Sequence, residues 1–228
     1  MEFNEIHFEA IDSTSTYLLK VHHMLDNLTF VTASHQFGGR GRMDRKWEST
    51  KKANLLFSLL IKDPALIEKF NYLSLATAVV IKKEIEKLGV NDVSIKWPND
   101  IYVRNKKICG ILLESESDAD GNIVALVIGV GLNINEFNFK KELLSTATSV
   151  KLETGYDMDV KAIKVSVFES MLEMLSNIKV DHVPFVEEAK ACSYLDGKTV
   201  EAEIKGKKAQ VVVNHINDDC SLSINLNG

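Results

Sequence analysis

The sequence predicts an α+β fold, with helices packed on a β-sheet, followed by a small β-barrel-like module at the C-terminal end. Three observations predict this architecture. Short β-branched runs separated by turn residues indicate strands over much of the chain. Longer stretches with apolar residues at helical spacing indicate helices. After Asp196 the chain consists of short alternating strands, which is typical of a small all-β module.

The elements of the N-terminal half follow from local patterns. They are a strand at 3–8, a helical pattern at 17–25, strands at 30–33 and 53–61, and one long helix that starts at Pro64. The first helix follows a run of N-cap candidates at 12–15, whose short polar side chains accept hydrogen bonds from free backbone N–H groups. The long helix has Asp63 as its N-cap and Pro64 in its first turn, where proline is favoured. Gly89 ends this helix.

The C-terminal half contains a strand-rich stretch, one helix and the small module. The strands are predicted at 93–97, 101–103, 107–115 and 122–130, and the helix at 160–178. The module contains strands at 199–204, 208–216 and 221–226. The change in character begins at Asp196, and we place the domain boundary ahead of it, near residues 179–188. We therefore predict two domains, at 1–184 and 185–228.

Composition and charge exclude several classes of protein. Of the 228 residues, 45% are hydrophobic and 26% are charged, and the net charge of −5 argues against a general binder of nucleic acid or anionic membranes. No apolar run reaches the roughly 18 residues of a membrane-spanning helix, and the N-terminus does not resemble a signal peptide. Cys109, Cys192 and Cys220 are far apart and form neither a disulfide framework nor a zinc motif. We therefore expect a cytoplasmic protein that does not enter a membrane.

A basic segment, GGRGRMDRKW at 38–47, is unusual in this acidic chain. Glycines allow a backbone to approach a ligand closely, and arginines donate paired hydrogen bonds to phosphate or carboxylate groups. Trp47 offers a flat face on which a base can stack. The segment suits a phosphorylated ligand that carries a base, such as a nucleotide. Taken alone, it fits a solvated basic loop or a loop that contacts RNA equally well.

Two further segments place polar groups beside predicted strands. KWPND at 96–100 presents Asn99 and Asp100 at a strand end, and a carboxylate near polyphosphate usually holds Mg²⁺. KKICGILLE at 106–114 brings Lys107 into an apolar strand, and Gly110 lets a ligand approach the backbone. Taken singly, the first segment is also an ordinary β-turn, and the second is a strand with a lysine that reaches solvent.

Together these segments resemble the biotin protein ligase family, in its form without an N-terminal DNA-binding domain. The family's adenylate loop is matched at 39–47, its KWPND element without change at 96–100, and its lysine–glycine strand at 107–114. Order and spacing agree, as do DST at 12–14 and GVGLNIN at 129–135, so the resemblance covers about residues 5–225. It implies a catalytic domain with the mixed β-sheet of class II synthetases and of biotin and lipoate ligases, and an SH3-like C-terminal barrel.

The resemblance also implies an activity and a set of site residues. Such enzymes activate biotin with ATP and Mg²⁺ to biotinyl-5′-AMP, then transfer biotin to one lysine of a biotin carboxyl carrier protein. The expected catalytic residues are Lys107, Arg42, Arg45 and Asp100, of which Asp100 would place Mg²⁺ through phosphates. The expected biotin-binding residues are Ser13, Thr14, Gln36, Gly39, Arg40, Gly110, Ile111 and Gly129. The expected nucleotide-binding residues are Trp47, Asn99, Asn133 and Arg45.

Three features depart from the family pattern. Asp44 stands where the family usually has glycine, and its charge would offset part of the arginine cluster. Ser15 stands where the family often has asparagine. The family usually continues past the last barrel strand into a segment that helps to cover the ATP side, whereas this chain stops at Gly228.

Other classes of protein remain as alternatives at this point. They are a lipoate ligase or lipoyl transferase of the same fold, a nucleotide- or RNA-binding module without chemistry, and a degenerate ligase that still binds biotin. The intact KWPND element and arginine loop favour biotin, and a pure binder would not need Lys107 or Asp100. We expect no binding to operator DNA, because the catalytic region starts near residue 5, and we expect that a homodimer could form through the catalytic sheet.

Overall fold

A seven-stranded sheet forms the centre of the molecule in a computed structural model that describes residues 3–43, 45–204 and 206–226. Its strands are β1 (Asn4–Phe8), β2 (Thr29–Ala33), β3 (Leu55–Ile61), β4 (Val93–Lys96), β5 (Asp100–Val103), β6 (Lys106–Ser117) and β7 (Ile123–Leu132). They lie in the order β1-β2-β3-β7-β6-β5-β4. Strands β1 and β2 are parallel and all other neighbours are antiparallel, so the sheet is mixed as predicted.

Helices cover both faces of this sheet. They are α1 (Thr14–Val21), α2 (Pro64–Ile67), α3 (Phe70–Lys87), α4 (Val150–Thr154), α5 (Val160–Val180) and α6 (Val183–Ala191), with a 3₁₀ turn at His22–Met24. Every residue of β3 is buried, because α1 packs on one face of the sheet while α3 and α5 pack on the other. On the second face Phe30 stacks on Phe168 of α5 with a centroid distance of 3.8 Å. The α+β class is therefore confirmed.

The predicted long helix from Pro64 to Gly89 is wrong as a single element. The chain forms α2 and α3 instead, and the backbone of Lys69 between them leaves the α-helical range at φ −92° and ψ 13°. The apolar stripe continues across this break, so periodicity gave no sign of it. Asp63 does cap α2, since its side chain accepts a hydrogen bond from the Ala65 N–H.

The C-terminal module is a separate antiparallel sheet of three strands in the order β10-β9-β8. They are β8 (Thr199–Ile204), β9 (Lys207–Ile216) and β10 (Leu222–Leu226), close to the predicted bounds and consistent with an SH3-like module. Helix α6 was not predicted, and it spans the predicted boundary between residues 184 and 185 while packing against α3. That boundary stays a prediction.

The segment after α6 extends the large sheet at its β4 edge. The Ile95 N–H donates to the carbonyl of Cys192, and the Tyr194 N–H donates to the carbonyl of Ile95, at 2.9 and 2.8 Å. This pairing ties the start of the C-terminal module to the strand that leads into KWPND. Within the described ranges, no helix combines the length and the apolar character needed to cross a membrane.

Candidate active site

A cavity of about 530 Å³ lies against the central strands β6 and β7. It is bounded by the start of α1, the basic loop at 38–47, the KWPND turn at 96–100 and the segment 139–147. All the predicted site residues except Gly39 line it. Gly39 lies instead against an adjoining cavity of about 460 Å³, which Trp47 also lines. Four segments that are distant in the sequence therefore meet at one place.

One end of the cavity carries a compact polar cluster. The side chain of Gln36 accepts hydrogen bonds from the backbone N–H and the hydroxyl of Thr14, at 2.7 and 3.1 Å. The Ser58 hydroxyl lies 2.7 Å from that of Thr14 and 2.8 Å from that of Ser15. Ser13 caps α1 by accepting from the Thr16 N–H. Because Gln36 uses its amide oxygen for Thr14, its amide N–H groups are available to a ligand carbonyl.

Ser58 belongs to this cluster but was not predicted as a site residue. It is fully buried on β3, where the sequence reads LLFSLLI. A single hydroxyl in an otherwise apolar buried strand needs a hydrogen-bond partner. The lone serine in this apolar strand was therefore the sequence feature from which Ser58 could have been predicted as a site residue.

Glycines on β6 and β7 make room for side chains from other segments. A Cβ atom at Gly129 would lie 2.5 Å from the Ser15 hydroxyl, and one at Gly131 would lie 2.5 Å from the Trp47 ring. At Gly110 the nearest atom, also of the Trp47 ring, would be 2.9 Å away. The indole thus packs across two bare strand positions. Its N–H is buried and finds no hydrogen-bond partner in the part of the chain that the structure describes.

A lysine–carboxylate pair lies beside the indole. The Lys107 ammonium is 2.7 Å from a carboxylate oxygen of Asp100, and it lies 5.5 Å from the centroid of the Trp47 ring. Lys107 is opposite Tyr102 on the neighbouring strand, which places Asp100 in the diagonal position on the same face. Both side chains are mostly buried, with exposed fractions of 31% and 23%.

The KWPND turn is held from three sides. Asn99 donates its side-chain amide to the Ile111 carbonyl at 2.5 Å, and the Ile111 N–H donates back to the Asn99 carbonyl at 2.9 Å. The Ser74 hydroxyl of α3 donates to the Pro98 carbonyl, which follows a cis Trp97–Pro98 bond. The Trp97 indole N–H donates to the Cys220 carbonyl at 2.8 Å. The turn is therefore a fixed part of the cavity wall.

The basic loop folds back on itself over the cavity. The Gly41 N–H donates to the Arg45 carbonyl at 2.7 Å, and the Trp47 N–H donates to the Gly39 carbonyl at 2.9 Å. Arg42 and Arg45 line the cavity and are exposed. The effect expected of Asp44 lies outside the described residues. The loop thus presents cationic side chains to the same space as Lys107.

Asn133 marks the opposite end of the cavity, at the end of β7. Its side-chain amide N–H donates to the Thr148 carbonyl at 3.0 Å, so this bond does not use the amide oxygen. That oxygen is buried and has no partner among the described atoms. A buried acceptor without a donor costs free energy unless a ligand supplies one. The group suits a ligand with an amino or N–H donor.

The acidic groups limit how a metal ion could be held. No cluster of three or more His, Cys, Asp or Glu residues occurs in the described ranges. Asp100 offers one carboxylate to the cavity, and Lys107 already engages one of its oxygens. Mg²⁺ is often held by one or two carboxylates together with substrate phosphates and water. The site therefore fits Mg²⁺ only when a polyphosphate supplies further ligands.

Comparisons with known proteins show the family to which this chain belongs. The model of the biotin/lipoate A/B protein ligase family matches residues 7–133, which is more than half of the chain. The protein therefore belongs to the biotin/lipoate A/B protein ligase family. The structure of the biotin protein ligase from Aquifex aeolicus in complex with biotin and ATP superposes with a TM-score of 0.79 at 25% identity, covering 99% of this chain and 96% of that one.

Two curated relatives add sequence evidence. The bifunctional ligase/repressor BirA of Bacillus subtilis is 36% identical over 133 residues, which are 58% of this chain and 41% of the relative. The biotin–[acetyl-CoA-carboxylase] ligase of Paracoccus denitrificans is 31% identical over 156 residues, which are 65% of this chain and 63% of the relative. The match to the Bacillus subtilis relative thus spans less than half of that protein's length.

Proposed function

We propose that this protein is a biotin protein ligase. It activates biotin with MgATP to biotinyl-5′-AMP and transfers biotin to one lysine of a biotin carboxyl carrier protein. The observation that carries the proposal is the meeting of the Lys107–Asp100 pair, the basic loop and the Gln36 cluster in one cavity. The named activities of the relatives and of the Aquifex aeolicus complex support it.

The polar cluster favours biotin over lipoate. A ureido group has two N–H donors and one carbonyl acceptor, and the cluster offers hydroxyl oxygens together with the free amide N–H of Gln36. The dithiolane ring of lipoate has neither donors nor strong acceptors. Binding lipoate would bury these polar groups without partners, which is unfavourable. Ser13, Thr14 and Gln36 are the proposed ureido contacts, and Ser58 joins them.

In the first half-reaction, a carboxylate oxygen of biotin attacks the α-phosphorus of ATP, and pyrophosphate leaves. Both reactants are anionic, so the enzyme must screen their charges and align them. Lys107, Arg42 and Arg45 supply positive charge to the shared space. Mg²⁺ would be held by phosphate oxygens beside Asp100, where it would screen the polyphosphate charge. Gly110, Ile111 and Gly129 would leave room for the body of biotin, with Gly39 and Arg40 closing over it.

The adenylate would occupy the space between Trp47 and Asn133. The indole supplies a flat apolar face, and the buried amide oxygen of Asn133 could accept from the adenine amino group. Asn99 would lie beside the phosphates. Its side-chain amide donates to the Ile111 carbonyl and so fixes the turn in place.

In the second half-reaction, the amine of the carrier lysine attacks the acyl carbon, and AMP leaves. The basic loop would exclude water until the carrier arrives, because water would hydrolyse the mixed anhydride. The carrier domain is the proposed protein partner. A homodimer through the catalytic sheet and the lack of operator binding stay predictions. The free thiols of Cys109, Cys192 and Cys220 support a reducing compartment, and we propose the cytoplasm.

Biotin-dependent ATP–pyrophosphate exchange tests this function. The wild-type chain should exchange label with biotin and not with lipoate. Lys107→Ala should lower the exchange rate by about 100-fold or more, because it removes a charge that stabilises the transition state. Lys106→Ala is the matched control, since Lys106 is the exposed neighbour on the same strand. It should keep the wild-type rate.

Two outcomes would contradict the proposal. Exchange with lipoate but not biotin would assign the chain to the lipoate branch of its family. Tight biotin binding without exchange in the wild-type chain would indicate a degenerate ligase that binds but does not activate.

A further inference from the structure

Glu114 is a charged side chain of β6 for which the proposed chemistry has no role. The two-residue repeat of a strand places it on the same face as Gly110 and Leu112, which line the cavity. Its side chain is only 17% exposed. One carboxylate oxygen pairs with the guanidinium of Arg40. The other is buried and has no hydrogen-bond partner among the described residues.

Arg40 joins the basic loop to two fixed elements of the fold. Its guanidinium contacts Glu114 on β6 and donates to the Thr16 hydroxyl on α1 at 3.2 Å. The loop is closed on itself on both sides of this residue, through Gly39 to Trp47 and through Gly41 to Arg45. A restraint on Arg40 therefore also restrains the residues paired on either side of it, Gly39 with Trp47 and Gly41 with Arg45.

The contact between Arg40 and Glu114 can become stronger, because the second carboxylate oxygen of Glu114 has no partner among the described residues. A guanidinium can bind a carboxylate through two parallel N–H donors, and such paired contacts are the strongest of this type. Glu114 now satisfies one of its oxygens only, so a small movement of Arg40 could satisfy both.

We propose that Glu114 is a positioning residue that anchors the basic loop over the acyl-adenylate by holding Arg40. The inference rests on the proposed function, since the retained ligand is the mixed anhydride of biotin and AMP. Glu114 does not touch the reacting atoms. It lowers the frequency with which the loop opens, and so slows loss of the intermediate before the carrier lysine arrives.

Retention of biotinyl-5′-AMP tests the anchor directly. The adenylate is formed from stoichiometric biotin and MgATP, the complex is isolated by rapid gel filtration, and release is followed in the presence of excess unlabelled biotin. Glu114→Gln should raise the release rate by about fivefold, as expected for a partly exposed ion pair. Its rate of adenylate formation should change by less than about twofold. Glu116→Gln, a half-buried carboxylate two residues along the same strand, should match wild type.

Arg40 provides a second variant and a test of coupling. Arg40→Gln should raise release at least as much as Glu114→Gln. The double variant should release no faster than Arg40→Gln alone, because both changes break the same contact. Additive effects would overturn the proposal, and this comparison remains valid if one single variant has lowered stability.

Hydrogen exchange of the loop amides separates this inference from the proposed function. In protein without ligand, Glu114→Gln should speed exchange at 39–43 and 45–47 by about threefold or more, while Glu116→Gln should not. Unchanged loop exchange together with unchanged release would overturn the anchor. If the wild-type chain forms no adenylate, the proposed function fails, and unchanged loop exchange would still reject the anchor.

Discussion

At the scale of single residues, the cavity is shaped by glycines, which have no side chain to fill it. Gly129 and Gly131 lie two positions apart on β7, on the same face, and each leaves space that another segment fills. The space at Gly129 is taken by Ser15, and the space at Gly131 is taken by Trp47. The two positions therefore report on opposite ends of the ligand.

Alanine at each position should weaken a different substrate. Gly129→Ala should raise the Kd for biotin by about tenfold, because the added methyl group displaces the Ser15 hydroxyl from the polar cluster. Gly131→Ala should raise the KM for ATP by a similar factor and change the Kd for biotin less, because it displaces the indole. Calorimetric titration with biotin and exchange kinetics with varied ATP measure the two effects. The same loss of biotin affinity in both variants would refute the division of the cavity.

The motifs predicted which residues would meet, but they did not predict every contact. KWPND, the arginine loop and the lysine–glycine strand are short, local sequence motifs, and all three line one cavity. Ser58 and Glu114 act through neighbours that are distant in the chain. The lone serine of β3 indicates that a polar partner is needed, but its partners are identified only when β3 lies beside α1. The Arg40 contact of Glu114 depends on how the loop folds back.

At the scale of elements, α3 and α5 are joined by a buried acidic group. The Glu84 carboxylate accepts from the hydroxyls of Ser166 and Ser170 at 2.5 and 2.8 Å, and it pairs with Lys87 at 2.5 Å. Burial alone would raise the pKa of the Glu84 carboxyl. The hydrogen bonds from Lys87, Ser166 and Ser170 outweigh burial, so the pKa lies below its usual value.

Glu84→Gln should lower the free energy of unfolding by about 2 kcal/mol at pH 7, because it removes a charged acceptor from a buried network. The stabilisation that the ionised Glu84 carboxylate contributes is fully present above its pKa in the unfolded chain, about 4.3. Because the pKa is lower in the folded protein, this stabilisation is lost as the pH falls through the folded pKa. The difference from wild type should therefore shrink below about pH 4. Urea unfolding from pH 3 to 7 measures it.

Glu86→Gln is the matched control for this prediction. Glu86 lies two residues along α3 and is more exposed, with an i,i+4 pair to Lys82. Its loss should cost no more than about 0.5 kcal/mol. Equal costs for the two variants would show that Glu84 does not join the helices.

The predicted elements show where local patterns suffice. The strands at 93–97, 101–103 and 208–216 were found within a residue or two, because β-branched runs and turn residues are local signals. The break between α2 and α3 was missed because Lys69 lies within a continuous apolar stripe. Helix α6 was missed because it is short, and its place on α3 is set by tertiary packing.

At the scale of the whole molecule, a hydrogen bond from the Trp97 side chain links the C-terminal module to the candidate active site. The Trp97 indole N–H reaches the Cys220 carbonyl in the turn between β9 and β10. Trp97 is also part of the KWPND turn that carries Asn99 and Asp100. A change in the module should therefore reach the Lys107–Asp100 pair.

Trp97→Phe should lower the free energy of unfolding by about 1–2 kcal/mol, because it removes this bond and some buried area. It should also slow biotin-dependent exchange by about tenfold, since a displaced turn misplaces Asp100. Tyr194→Phe is the control, as it removes an exposed hydroxyl bond to Asn105. Full exchange activity in Trp97→Phe would contradict the link between the module and the site.

The central claim is that this cavity joins biotin to AMP. The most direct measurement mixes the chain with MgATP and equal concentrations of biotin and lipoate, then identifies the bound acyl-adenylate by mass spectrometry. We expect biotinyl-5′-AMP with release of pyrophosphate, and no lipoyl-AMP. Lipoyl-AMP in its place, or unreacted ATP and biotin, would contradict the claim.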